Sequence, residues 1–273
     1  MKVLLIASDL DGTLLRSDKT ISIETKNLLY ALHEKGVLFV PSTGRSHTEL
    51  PEAIRELSFL KYAITCNGGG VYDYDEGQYL FNYTIEKSMA KQVLEFCKKV
   101  PVCPTMVCEG ERYIETDATG RISEFVRKIA SPGILELATE SEDLSVTLEN
   151  IETEVQKIML YPLEIDRREE ILLELKKRFP GLAITTSGPM YIEVNAGGID
   201  KGKTLNALCE HLKIPISHVV AFGDAGNDIA MLQAAGYAVV PKNGSEEAKK
   251  YADRFCETCD EDGVRKALTE LMP

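Results

Sequence analysis

Strand and helix alternate at the start of this chain, stop doing so near residue 83, and resume at residue 201. Val3-Leu4-Leu5-Ile6-Ala7 is an apolar run of strand length, opening a strand at 3–8. Ser22 can cap a helix carrying Leu28, Leu29 and Leu32 that Gly36 ends, and Val37-Leu38-Phe39-Val40 is a second such run. A polar-amphipathic stretch near 46–58 leads to Tyr62-Ala63-Ile64-Thr65-Cys66, followed by a hairpin turning at Asp75-Glu76-Gly77. Apolar strands joined through helices imply a parallel sheet wrapped by helices.

The rhythm then changes. A helix at 86–99 precedes strand-like pieces at 105–108 and 112–116. A helix at 119–130, a strand at 155–162, a helix at 166–179 and paired strands at 182–187 and 190–195 follow. Paired strands beside helices suggest a separate α+β layer. The acidic stretch TESEDLSVTLENIETE, 139–154, reads as a loop or linker. From Lys201 the alternation returns: helix 201–212, strand 218–222, helix 226–235, strand 237–240, helix 245–251. Residues 1–82 and 196–273 are thus expected to form one α/β domain, interrupted by a second at 83–195. Its functional loops should gather at the carboxyl ends of the parallel strands.

Charge narrows the partners. The chain of 273 residues has a net charge of -12, which disfavours a nucleic-acid backbone or an anionic membrane surface. It leaves small anionic substrates open, since a site can be locally positive. No apolar run is long enough to span a bilayer. Met1–Ala7 resembles the start of a signal peptide, but Asp9 and Asp11 end the apolar stretch early. Seven cysteines, an odd number, suggest free thiols in a reducing compartment, hence the cytoplasm. Cys256-Glu257-Thr258-Cys259 has the spacing of half a zinc site, but no matching half exists, and it reads as incidental thiols in a loop. Oligomeric state has no signature here.

Four loops carry the chemistry. Ser8-Asp9-Leu10-Asp11-Gly12-Thr13 follows the first strand. Were the strand to continue, Asp9 and Asp11 would share a face, repel, and raise each other's pKa, which calls for a cation. Ser42-Thr43-Gly44-Arg45 offers a hydroxyl and backbone amides for a phosphate. Lys201 opens a helix, where a cation is unfavourable unless an anion is near. Gly223-Asp224-Ala225-Gly226-Asn227-Asp228 puts further carboxylates after another strand. Magnesium, which prefers oxygen ligands, would offset such clustered carboxylates.

In this order, these motifs resemble the haloacid dehalogenase superfamily, and more closely its Cof-type phosphatases. The likeness extends through TCNGGGVYD, YIEVNAGGIDKGKTL, GDAGNDIAMLQAAGYAVV and the tail. It departs at 241–244, where Pro-Lys-Asn-Gly stands in place of a small Gly-Asn-Ala-like turn. The resemblance implies a Rossmann-like parallel sheet core and a large inserted α/β cap. It implies a magnesium-dependent phosphatase acting on small phosphorylated metabolites such as sugar phosphates. Asp9 would be the nucleophile, forming an aspartyl-phosphate, and Asp11 the general acid and base. Asp9, the Asp11 backbone carbonyl and Asp224 would ligate Mg2+. Thr43, Gly44, Lys201 and Asn227 would cradle the phosphoryl group. Asp228 would orient the metal shell or hold Lys201. Arg45 either faces the pocket, the preferred reading, or braces its loop with a structural ion pair. A phosphomutase and a non-catalytic phosphate-binding member of the fold are the alternatives. A phosphoaspartate receiver would be about half as long and would lack the cap.

Overall fold

The computed structural model describes residues 2–116, 120, 122, 124–129, 135–186, 188 and 190–272. They divide into two compact units, residues 1–81 with 200–273, and residues 82–199.

In the first unit β1 (Leu5–Ser8) is buried at every position, as a strand covered on both faces must be. The helix Ile23–Glu34 begins where Ser22 Oγ accepts from Thr25 N–H at 3.0 Å. β2 (Leu38–Pro41) then pairs with β1 in parallel. β3 (Tyr62–Thr65), expected to extend that sheet, does not. It pairs antiparallel with β4 (Gly70–Asp73), and β5 (Gln78–Asn82) completes a separate three-stranded sheet. The Asp73 carboxylate accepts from the amides of Asp75 and Glu76 at the hairpin turn. A single Ser42–Ile64 bridge ties β3 to the chain leaving β2.

The second unit holds β6 (Val102–Cys108), β7 (Glu111–Glu115), β8 (Thr139–Ser141), β9 (Val155–Pro162), β10 (Ala183–Thr185) and β11 (Ile192–Asn195). Their order is β10-β11-β9-β6-β7-β8. Alternation along β9 divides its side chains between two cores. Ile158 and Leu160 pack with Val93, Phe96 and Ile171 from the helices Lys87–Cys97 and Arg168–Arg178, whereas Met159 and Tyr161 pack with Cys103 and Ile114. Lys157 on β9 and Glu193 on β11 form a buried ion pair. Of the helix expected at 119–130, Glu124–Ile129 is helical, while residues 119, 121, 123 and 130, and residue 187 of the strand expected at 182–187, lie outside the described residues.

The stretch read as a linker is structured. It contains β8 and a helix, Leu144–Asn150, begun by Asp143, whose carboxylate accepts from Ser145 N–H at 2.7 Å. Leu144 and Leu148, one turn apart, are buried in the same core as β9. With two apolar anchors among so many acidic residues, the pattern is hidden from a reading of composition. The unit also extends past Asn195: Ile199 packs against this core, and Asn82 Oδ1 accepts from Gln156 Nε2 at 2.8 Å.

The chain returns to the first unit with the helix Lys201–Leu212, β12 (Val219–Phe222), β13 (Tyr237–Pro241) and β14 (Arg254–Cys256). The completed sheet runs β14-β13-β12-β1-β2, all parallel. In place of one helix at 226–235 there is a 3-10 turn, Gly226–Asp228, followed by Ile229–Ala234. All seven cysteines are free and buried, and Cys256 and Cys259 lie on β14 and a 3-10 turn rather than in a loop. Among the described residues no helix is long and apolar enough to cross a membrane.

Leu148→Ala should lower the unfolding free energy by about 3 kcal/mol, the cost of a core cavity. Val146→Ala, on the exposed side of the same helix, should stay within about 0.5 kcal/mol. Equal, small effects in denaturant titrations would mean that this helix does not pack.

Candidate active site

β1 stops at Ser8, and the loops after β1, β2 and β12 leave the sheet from adjacent strands. Asp9 is buried and still tied to the sheet, its N–H donating to Phe222 O at 2.9 Å. Lys201, the first residue of its helix, is fully buried beside it. Its Nζ lies 2.6 Å from Asp9 Oδ1 and 2.6 Å from Asp228 Oδ1. The other Asp228 oxygen accepts from the amides of Asp224 and Ala225, each at 3.0 Å. Asp224 Oδ1 accepts from the Thr13 hydroxyl at 2.7 Å. Gly12 makes this approach possible: its φ is +86°, and a Cβ there would fall 2.8 Å from Asp224 Oδ2.

One oxygen from each of Asp9, Asp224 and Asp228 lies within 4.8 Å of the others, a set that could hold a metal ion. The electrostatics match. Burial pushes Asp9 well above the usual carboxylate range; Lys201 counters this, while Asp228 and Asp224 add to it. Burial and then Asp228 push Asp224 up to about 6. Burial pulls the Lys201 ammonium down, but Asp228 and Asp9 outweigh it and hold it charged.

Asp11 departs from expectation. Because the strand ends before it, alternation does not carry its side chain to Asp9. Its carboxylate accepts from Arg45 Nε at 2.7 Å and Arg45 Nη2 at 2.9 Å, and from Lys19 Nζ at 2.7 Å. Burial acts to raise its pKa, but Arg45 and Lys19 overcome that and hold it down at about 2. The charges that repel Asp9 are those of Asp228 and Asp224, while Asp11 adds to the upward push on Asp224. Arg45 makes the structural ion pair that is the alternative to a pocket role, bracing Asp11, and donates to Glu49 O at 3.2 Å.

Thr43 is buried; its hydroxyl accepts from Arg45 N–H at 3.2 Å, and Gly44 lies between them. Asn227 Nδ2 donates to Asn67 Oδ1 at 3.0 Å. The residues that sequence reasoning missed are Lys19, Thr13 and Asn67. Thr13 and Asn67 stand inside quoted motifs without an assigned role, and Lys19 has no sequence signal beyond a turn-rich neighbourhood.

The sequence profile of the haloacid dehalogenase-like hydrolases matches residues 6–268. A 5-amino-6-(5-phospho-D-ribitylamino)uracil phosphatase of Bacillus subtilis is 33% identical over 264 residues, spanning 97% of this chain and 94% of that protein. A second phosphatase of Bacillus subtilis is 28% identical over 290 residues, spanning 98% and 99%. Among solved structures, a haloacid dehalogenase-like hydrolase from Bacteroides thetaiotaomicron superposes with a TM-score of 0.86 at 27% identity, covering 99% and 100%. A sugar phosphatase of haloacid dehalogenase subclass IIB gives 0.84 at 25% identity, covering 99% of each chain.

A raised carboxylate pKa is a cost to the folded state when the group is ionised. For Asp224 that cost is full above about pH 6 and fades as the pH falls toward ~3.9. Asp11 has the opposite sign, and its stabilisation is lost only as the pH falls from ~3.9 toward 2. Thermal scans should therefore show Mg2+ raising Tm more at about pH 7.5 than at about pH 5, where protons already relieve the cluster. The same Tm rise at both would show that no titrating carboxylate holds the ion.

Proposed function

The chain belongs to the haloacid dehalogenase-like hydrolases and is a phosphatase, and from that premise we propose that it hydrolyses small phosphorylated metabolites with Mg2+ through an aspartyl-phosphate on Asp9. The observation that carries this reading is the buried arrangement of Asp9, Lys201, Asp228 and Asp224. An all-oxygen, carboxylate-rich set with raised pKa values fits a hard divalent cation. Asp9, Asp224 and the Asp11 backbone carbonyl would hold it. Both Asp228 oxygens are already engaged, which suits an orienting role. Bound there, Mg2+ supplies positive charge to the phosphoryl oxygens and to the carboxylates.

An Asp9 oxygen attacks phosphorus as the bond to the leaving alkoxide breaks, and Asp11 gives that oxygen a proton. The resulting Asp11 carboxylate takes a proton from a water, which attacks phosphorus and releases Asp9 and inorganic phosphate. Lys201, Thr43, Gly44 and Asn227 bear on the phosphoryl oxygens, because phosphoryl transfer needs mostly positioning and charge stabilisation. Arg45 and Lys19 keep Asp11 ionised at rest. Its acid role therefore requires it to leave those partners and take up a proton from solvent before it meets the leaving oxygen. Phosphorylated sugars and ribityl compounds are the proposed substrate class, supported by relatives that act on 5-amino-6-(5-phospho-D-ribitylamino)uracil and by the sugar phosphatase fold match. A cytoplasmic location goes with such substrates.

Inorganic phosphate release separates the roles. Asp9→Asn should abolish turnover at least about a thousandfold with the fold retained, since an amide does not attack phosphorus. Asp11→Asn should lose far more rate on an alkyl phosphate than on p-nitrophenyl phosphate, whose leaving group needs no proton. Activity of Asp9→Asn within about tenfold of the parent, or equal losses for Asp11→Asn on both substrates, would refute the assignment.

A further inference from the structure

At the end of β3 two consecutive non-glycine residues, Cys66 (φ 51°) and Asn67 (φ 57°), take the left-handed backbone conformation, and both are buried. Such residues are disfavoured singly and more so in sequence, so the surrounding structure must hold them. It does so from two sides. Cys66 N–H donates to Arg45 O and Asn67 N–H to Thr43 O, each at 2.9 Å, fastening the turn to the loop after β2. From the Lys201 helix, Thr204 Oγ1 donates to Gly68 O at 2.7 Å. Gly68, at φ +97°, lies so close to that helix start that a Cβ would fall 2.4 Å from Asp200 O. The turn 66–68 is thereby wedged between the loop of Thr43 and the helix of Lys201.

What this constrained turn presents is a side-chain amide. Asn67 is 8% exposed, and its oxygen accepts from Asn227. Among the described residues its Nδ2 has no hydrogen-bond partner, and neither has Asn227 Oδ1. Burying an idle amide is costly, and such a group in a native fold calls for an explanation. Which residue presents the NH2 follows from the amide orientation: with Asn227 Nδ2 donating to Asn67 Oδ1 the idle NH2 is on Asn67, whereas turning both amides over would put it on Asn227. An NH2 carried by a turn fastened to the Thr43 loop and the Lys201 helix can only donate, and it suits a ligand that offers acceptors alone. The oxygens of a phosphoryl dianion are of that kind.

We propose that Asn67 is a phosphoryl-binding residue: its side-chain NH2, presented by the left-handed turn 66–68, donates to an oxygen of the transferring group while its carbonyl orients Asn227. This rests on the phosphoryl site proposed above and adds a contact to it from a fifth segment of chain. The strain at 66–67 is the consequence, since a relaxed turn would carry the amide elsewhere.

Two substitutions test it. Asn67→Gly deletes the amide, and because glycine accepts a positive φ freely, the backbone should survive or gain stability. Asn67→Asp keeps an oxygen for Asn227 but has no NH2. With Mg2+ present, kcat/KM for p-nitrophenyl phosphate and competitive inhibition by inorganic phosphate are measured beside Tm. Both variants should lose about tenfold or more in kcat/KM and in phosphate affinity, the loss of a hydrogen bond to a charged group, and Asn67→Gly should keep its Tm. Parental kinetics and phosphate inhibition in Asn67→Gly would overturn the proposal. So would an impaired Asn67→Gly beside a near-parental Asn67→Asp, since orienting Asn227 would then be the whole role. Persistence of activity in Asp9→Asn is a separate failure, of the aspartyl-phosphate reading, and leaves the phosphate-inhibition comparison standing.

Discussion

A fully buried ammonium cannot stand in a protein interior without anionic partners, and Lys201 has two, each at 2.6 Å. Those partners come from 192 residues before it and 27 residues after it. The pairing explains why Asp9 and Asp228 tolerate burial, and through the second Asp228 oxygen it fixes the backbone at Asp224 and Ala225. The loops after β1 and β12 and the start of one helix are thus set by a single cation. Three clustered carboxylates against one lysine still leave an excess of negative charge, visible in the upward shifts of Asp9 and Asp224. A divalent cation held there would cancel that excess and let a phosphoryl dianion approach a protein whose net charge is -12.

Environment separates the two aspartates of the first motif. Asp9 lies in the buried cluster, pushed upward, while Asp11 is drawn aside by Arg45 and Lys19 and held at about 2. Two carboxylates one residue apart along the chain therefore serve different ends, as the surroundings of each dictate. Lys19 reaches Asp11 from a turn that is itself pinned, Ser17 donating to Asp260 and Arg16 to Asp262. The resting position of Asp11 is a built feature of the first unit.

Much of this was legible in the sequence because chemistry was written in contiguous residues. Asp9, Asp224, Asp228 and Lys201 each stand next to an apolar strand or at a helix start, and the structure brings all four together. The parallel core followed from buried strands alternating with helices. Pairing and strand ends were not legible, because they are set from a distance. β3 looks locally like β1 and β2, yet its partner is β4. β1 ends at Ser8 as the chain bends at Gly12 against Asp224, far along the sequence, so the alternation that would align Asp11 with Asp9 does not continue. The helix Leu144–Asn150 was obscured by acidic residues around two apolar anchors. Asn67 showed only as an Asn-Gly step, and its side-chain surroundings arise from residues distributed over the whole first unit.

In the proposed reaction the phosphoryl group passes through Asp9. Acid quenching of the enzyme during turnover of a phosphomonoester carrying labelled phosphorus tests it most directly. An acyl phosphate survives brief acid and is cleaved by hydroxylamine, so label is expected on the peptide containing Asp9 in amounts approaching the enzyme concentration when dephosphorylation is slow. Quenched protein without covalent label under conditions of slow dephosphorylation, or label on a peptide lacking Asp9, would contradict the account.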